Sequence, residues 1–113
     1  MYEYKAKLVR VIDGDTISLD VDLGFYTSRT ETFRLYGVDT KELHDKIPEG
    51  KVLAIQAREY VKNQLADKPL IVKTLKDKED KYGRMLALVF IEGDDESLNN
   101  KLVTLGLAVP YYL

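Results

Sequence analysis

Cysteine and histidine are the residues this sequence has least of. It contains no cysteine and a single histidine. The absence of cysteine excludes disulfides, a thiolate zinc site and a cysteine nucleophile, and it leaves oxidising and reducing compartments equally open. His44 lies in a polar loop at residues 43–50, with nothing nearby at metal-ligand spacing, so we assign it no role.

Long apolar segments are missing as well. The N-terminal residues lack the apolar region of a signal peptide, and no run of residues approaches membrane-spanning length. From the chain as it stands we expect no membrane association, and a cytoplasmic location unless a leader has been removed.

Basic residues are slightly fewer than acidic residues. Lys and Arg number 17 against 19 Asp and Glu, which gives a net charge of -2. Binding of nucleic acid by bulk electrostatics grows with the number of phosphates neutralised, so this balance argues against that class of protein. It still permits an enzyme that binds one phosphate in a local site, and a bound divalent cation would reverse the sign of an acidic pocket.

The composition is that of one globular domain spanning residues 1–113. The chain has 113 residues, 45% hydrophobic and 32% charged, which suffices for one core but not for two. Alternating and three- to four-residue apolar spacings predict strands at 5–12, 17–21, 30–36, 70–75 and 85–91, and helices at 51–66 and 96–105. The order β-β-β-α-β-β-α predicts a mainly β (α+β) fold, a five-stranded OB-fold barrel with two helices.

Several packing predictions follow the same periodicities. Leu8 and Val9 are core candidates in the first strand. Phe25 and Tyr26, in the connection after the second strand, could contact a base or fold back on the sheet, and we expect them to pack on the sheet. A short edge segment is predicted at 107–109. The apolar face of the first helix comprises Leu53, Ala57, Tyr60, Val61 and Leu65.

Most of the chemistry lies in residues 32–42. Arg34 is on a predicted strand, Gly37 turns the chain, and Asp39 and Glu42 follow. Carboxylate and carbonyl oxygens suit a hard divalent cation, and arginine suits phosphate. The run therefore indicates a phosphodiester bound beside a metal ion. For this stretch taken alone, however, the interpretation we favour is a strand end with a solvated acidic turn.

A second acidic turn precedes this run. The Asp-Gly pair at 13–14, between alternating apolar runs, is a strong hairpin signal. Asp13 and Asp15 then both lie at the turn, where aspartate often serves local hydrogen bonds alone. Turn chemistry is the interpretation we favour for Asp13, and Asp15 stays open.

Four short motifs occur in order: Asp-Gly-Asp-Thr at 13–16, Phe-Arg-Leu at 33–35, Val-Asp-Thr-Lys-Glu at 38–42 and Asp-Lys-Tyr-Gly-Arg at 80–84. Together they resemble the staphylococcal nuclease (thermonuclease) family over roughly residues 5–110. That family hydrolyses phosphodiester bonds of DNA and RNA with Ca²⁺ on an OB-fold barrel. The resemblance implies nucleic acid as the substrate and products with 3′-phosphate and 5′-hydroxyl ends.

The resemblance also implies a set of Ca²⁺ ligands. Asp15 and Asp39 would bind the ion through their carboxylates and Thr40 through its backbone carbonyl. Asp13 and Thr16 would support these ligands.

The remaining implied roles concern substrate. Arg34 and Arg84 would hold the scissile phosphate, and Glu42 would position and deprotonate the attacking water. Lys41 stands where the family usually has proline. Further substrate contacts are implied for Lys81, Tyr82 and, in a looser alignment, Tyr111 and Tyr112.

Two alternatives to a nuclease remain. One is a catalytically inactive module of the same family, which binds nucleic acid or protein. The other is an unrelated OB-fold domain for single strands, against which the acidic balance counts.

Overall fold

The computed structural model describes residues 2–41, 48–79 and 83–111, in which nine elements follow one another along the chain. They are β1 (Tyr2–Asp13), β2 (Thr16–Gly24), β3 (Thr27–Leu35), β4 (Val38–Asp39), α1 (Pro48–Leu65), β5 (Leu70–Glu79), β6 (Met85–Ile91), α2 (Leu98–Thr104) and β7 (Val109–Pro110). Five of the strands close a barrel in the order β1-β2-β3-β6-β5. The predicted mainly β fold with a five-stranded barrel and two helices is therefore confirmed.

The barrel closes through one parallel contact. β3 and β6 pair in parallel over Phe33–Met85, Arg34–Leu86 and Leu35–Ala87, whereas the other neighbours are antiparallel. Beyond the barrel, β4 and β7 form a separate two-stranded sheet, with Val38 opposite Pro110 and Asp39 opposite Val109. The sequence predicted an edge segment near β7 but not its partner β4.

The core follows the predicted alternation in β2. Ile17, Leu19 and Val21 are buried inside the barrel. In β1 the prediction is half wrong, because Leu8 packs against the core whereas Val9 is exposed. A register shift between Leu8 and Arg10 changes which residues of β1 face inward, as a bulge does.

The first helix begins earlier and faces the core differently than predicted. It starts at Pro48, within the predicted polar loop, because proline is tolerated in the first turn of a helix. Ala57, Val61 and Leu65 are buried as expected, but Leu53 is exposed. Its place is taken by the smaller Ala54, which is 1% exposed and lets the helix lie closer to the barrel.

The turn between β2 and β3 contradicts the packing prediction. Residues 22–30, which we call the arm, are all exposed. Phe25 and Tyr26 at its tip are almost completely exposed. β1 pairs with β2 only as far as Val21, whereas its first residues continue to pair with β5, so the arm separates from the barrel at this point. Both tip residues have positive φ, 55° and 59°, the backbone pattern of a two-residue hairpin turn.

None of the described helices is both long and apolar enough to cross a membrane.

Candidate functional site

The turn between β1 and β2 holds a buried carboxylate. Asp15 is 8% exposed, and each of its carboxylate oxygens accepts a hydrogen bond. Oδ1 accepts from the Thr16 hydroxyl at 3.1 Å, and Oδ2 accepts from the Thr40 backbone N–H at 3.1 Å. The Asp15 carbonyl in turn accepts from the Leu35 N–H at 2.8 Å. This turn is therefore fastened to the end of β3 and to the residue that follows β4.

Arg34 lies at the end of β3 and is held at both of its terminal nitrogens. Nη1 donates to the carbonyl of Leu35 at 2.9 Å and to that of Val38 at 2.7 Å. Nη2 lies 3.3 Å from Asp39 Oδ1 and 3.4 Å from Asp15 Oδ2. One guanidinium thus bridges two carboxylates from two different turns, and it lies against the backbone of the Gly37 turn.

A second guanidinium reaches the same place from another strand. Arg84 comes just before β6, which pairs with β3, and its Nη1 donates to the Thr16 hydroxyl at 3.1 Å. Thr16, which is 3% exposed, therefore accepts from Arg84 and donates to Asp15. Two arginines and two carboxylates are brought together, although 69 positions separate Asp15 from Arg84.

Helix α1 presses on the acidic turn from the side. A Cβ added to Gly14 would lie 2.7 Å from Ala57 Cβ and 3.0 Å from Thr40 Cγ2, so only glycine fits between helix and turn. The Thr40 hydroxyl lies in the same contact, is buried and has no hydrogen-bond partner among the described residues. The sequence indicated Gly14 as a turn residue only, since nothing local shows that a helix forty residues later packs on it.

Comparison with known proteins shows the family of the chain. The family model described as staphylococcal nuclease homologue matches residues 32–113. The chain belongs to the staphylococcal nuclease family. It is 34% identical over 106 residues to a thermonuclease from Staphylococcus hyicus, covering 94% of this chain and 59% of that protein. It is 37% identical over 99 residues to the thermonuclease of Staphylococcus intermedius, covering 88% and 55%.

A third relative comes from another genus. The endonuclease YncB of Bacillus subtilis is 33% identical over 110 residues, covering 94% of this chain and 47% of the relative. The chain thus spans about half to three fifths of the length of these relatives.

The structure describes most residues of the nuclease-family motifs. Asp13 lies half-buried opposite Thr16 in the β1–β2 ladder. Tyr111 is exposed, and its backbone N–H donates to the Gly37 carbonyl at 2.9 Å, which places it beside the turn that carries Asp39. Glu42, Lys81, Tyr82 and Tyr112 lie outside the described residues.

The donor set suits a hard cation. The Asp15 and Asp39 carboxylates converge on one arginine nitrogen, and Thr40 follows Asp39 directly. These are oxygen donors only, the kind that Ca²⁺ prefers. The described residues contain no group of three or more Asp, Glu, His or Cys side chains that could hold a metal, so any ion here would rest on two carboxylates plus backbone or solvent oxygen. The residues present fit such an ion.

Proposed function

We propose that the chain acts as a single-domain, Ca²⁺-dependent nuclease that hydrolyses phosphodiester bonds of DNA, RNA or both. The observation that carries the proposal is the convergence of Arg34, Asp15 and Asp39 at the end of β3, with Arg84 joined to them through Thr16. The nuclease names of the relatives support it. The proposed substrate is single-stranded or frayed, and the proposed products have 3′-phosphate and 5′-hydroxyl ends.

Ca²⁺ would be held by the carboxylates of Asp15 and Asp39 and by the backbone carbonyl of Thr40. When bound, the cation would offset negative charge on the phosphoryl oxygens. Thr16 and the Thr40 N–H keep Asp15 oriented by occupying one lone pair on each of its oxygens. We assign Asp13 a supporting role at the same turn.

The arginines carry the electrostatic part of the proposed reaction. Attack on a phosphodiester builds negative charge on the non-bridging oxygens, and fixed guanidinium donors stabilise that charge without reorganising. Arg34 is fixed by two backbone carbonyls, and Arg84 is anchored on Thr16. Removal of one such preorganised donor typically costs on the order of a hundredfold or more in rate.

The remaining roles are assigned by the family motifs. Glu42, two residues after Thr40, is proposed to position the attacking water and take its proton. Contacts to the second phosphate and to the base are proposed for Lys81, Tyr82, Tyr111 and Tyr112.

Cleavage of a labelled single-stranded DNA tests the proposal directly. The wild-type protein should cleave with Ca²⁺ and not with chelator, and Arg84→Ala should lower kcat about a hundredfold or more. Arg29→Ala is the matched control, because Arg29 is an arm residue paired with Glu31, far along β3 from Arg34.

Two outcomes would contradict the proposal. Tight binding of the DNA without Ca²⁺-dependent cleavage would identify an inactive binding module of this family. Equal losses of kcat in Arg84→Ala and Arg29→Ala would show that Arg84 has no specific role in the reaction, even if the wild type cleaves DNA.

A further inference from the structure

The side chain of Asn99 has an unusual set of partners. It belongs to α2, is 4% exposed and bonds to the backbone of β6 and to that of Tyr36, in the turn that follows β3. Its Nδ2 donates to the Ala87 carbonyl at 3.0 Å and to the Tyr36 carbonyl at 2.8 Å, and its Oδ1 accepts from the Val89 N–H at 3.1 Å. Two carbonyls facing the nitrogen and one N–H facing the oxygen define the orientation of the amide.

These bonds lie where the parallel β3–β6 ladder stops. The last ladder pair is Leu35 with Ala87, and Tyr36 still donates its N–H to the Ala87 carbonyl at 2.9 Å. The Tyr36 carbonyl is then bonded by Asn99 rather than by a strand. Asn99 therefore extends the attachment of β3 to β6 by one carbonyl, up to the Gly37 turn.

That turn is what holds the guanidinium of Arg34. The two carbonyls that accept from Arg34 Nη1 belong to Leu35 and Val38, on either side of the segment that Asn99 fastens. Asp39, whose carboxylate contacts Arg34 Nη2, follows directly. A displacement of the Tyr36 carbonyl would move both the carbonyls under the guanidinium and the carboxylate beside it.

We propose that Asn99 is a positioning residue: through the Tyr36 carbonyl it fixes the Gly37 turn and so the guanidinium of Arg34. The inference rests on the proposed function for its catalytic consequence, but its structural part concerns the protein without metal or substrate. Asn99 does not touch the substrate, and it acts only through the backbone of residues 36–38.

The test compares Asn99→Ala with a control in the same helix. Ser97→Ala removes the N-cap hydroxyl, which accepts from the Asn100 N–H at 3.0 Å, and leaves the Tyr36 carbonyl bonded. Both proteins are studied at a temperature where unfolding curves show them folded. The Arg34 Nε–H signal, assigned in ¹⁵N NMR spectra of the metal-free protein, should shift or broaden in Asn99→Ala and remain in place in Ser97→Ala.

Kinetics give the second readout. Arg34 stabilises charge that develops in the transition state, so Asn99→Ala should lower kcat about tenfold or more while KM changes much less. Ser97→Ala should change neither by more than about twofold. If Asn99→Ala does not fold, Asn99→Ser replaces it, because a serine hydroxyl is too short to reach both β6 and Tyr36.

The outcomes separate this inference from the proposed function. An unmoved Arg34 signal in the Asn99 variant overturns the positioning role, whether or not the wild type cleaves DNA. Equal effects of Asn99→Ala and Ser97→Ala on signal and kcat also overturn it, since lost helix stability would then explain both. A shifted signal in a protein that cleaves no nucleic acid keeps the structural link and rejects the nuclease proposal.

Discussion

The two ends of the β2–β3 hairpin invert the usual distribution of polar and apolar residues. At its base, Asp15 and Thr16 are buried and Arg34 is largely enclosed, whereas at its tip Phe25 and Tyr26 stand in solvent. The base borders β1, β6, β4 and α1, and every buried charge there has partners. The tip lies beyond the last pair between β1 and β2, which joins Ala6 to Val21. At the two ends of this hairpin, burial is thus decided by which elements surround a residue, not by its polarity.

The largest expected effect concerns the base. Arg34→Lys keeps the charge but loses the forked donors that hold two carbonyls and two carboxylates together. We expect kcat to fall about a hundredfold. The free energy of unfolding should change by a much smaller proportion. Steady-state kinetics on single-stranded DNA measures this, with Arg29→Lys near the tip as the control that should retain full activity. A loss of similar size in both variants would mean that the base has no special role.

The contact between the base and α1 gives the next effect. Gly14→Ala would place a methyl group 2.7 Å from Ala57 Cβ, and we expect it to lower the free energy of unfolding by about 1–3 kcal/mol. Ala57→Gly removes the opposing methyl and costs about 1 kcal/mol by itself as a glycine within a helix. In urea titrations the double variant should be more stable than the sum of the single effects predicts. Strict additivity would show that the helix does not press on this turn.

A substitution at the tip should stabilise the protein, whereas the substitutions at the base destabilise it or lower its activity. Phe25 and Tyr26 occupy the left-handed region and are almost fully exposed, so they bear strain without gaining packing. Replacing the pair by Asn-Gly, the residues this turn favours, should raise the free energy of unfolding by about 1 kcal/mol and leave cleavage unchanged. A destabilised variant would show that the aromatic pair contacts something within the protein, contrary to its exposure, and a less active variant of unchanged stability would show that the pair contacts the substrate.

The smallest effect lies outside both ends and provides a reference. A hydrogen bond from Lys101, with a further one from the Glu96 N–H, lowers the pKa of Asp94 below its ordinary value of 3.8. Because the folded pKa is lowered, the contribution of Asp94 to stability is fully present above about pH 4 and is lost as pH falls through the lowered value. Asp94→Asn should therefore reduce the dependence of unfolding free energy on pH below about pH 4.

The matched control for Asp94→Asn is a substitution of the neighbouring carboxylate. Asp95 is exposed, and Asp95→Asn makes the same change of charge one residue away. Chemical denaturation of both variants across the acidic range measures the difference. Identical acid profiles for the two would contradict the assignment of the interaction to Asp94.

The sequence alone predicted the barrel, because the alternation of Ile17, Leu19 and Val21 and the spacing of Ala57, Val61 and Leu65 are local signals of inward faces. It also indicated which residues form the candidate site, because Asp15, Arg34, Asp39 and Arg84 belong to recognisable motifs. The roles of these residues, and that of Glu42, stay predictions. The structure shows the two aspartates and the two arginines within one network of contacts.

The tertiary structure decided what depends on residues far apart in the chain. The exposure of Val9 follows from a register shift between strands, and that of Phe25 and Tyr26 from where β1 stops pairing with β2. Gly14 is needed because α1 packs on it. Asn99 was missed because an asparagine in a helix shows no sequence sign of bonding both to a strand and to the turn after another strand. Periodicity reports the face of one element. Register, close approach and the partners of a buried amide are set by contacts between elements, which no single segment encodes.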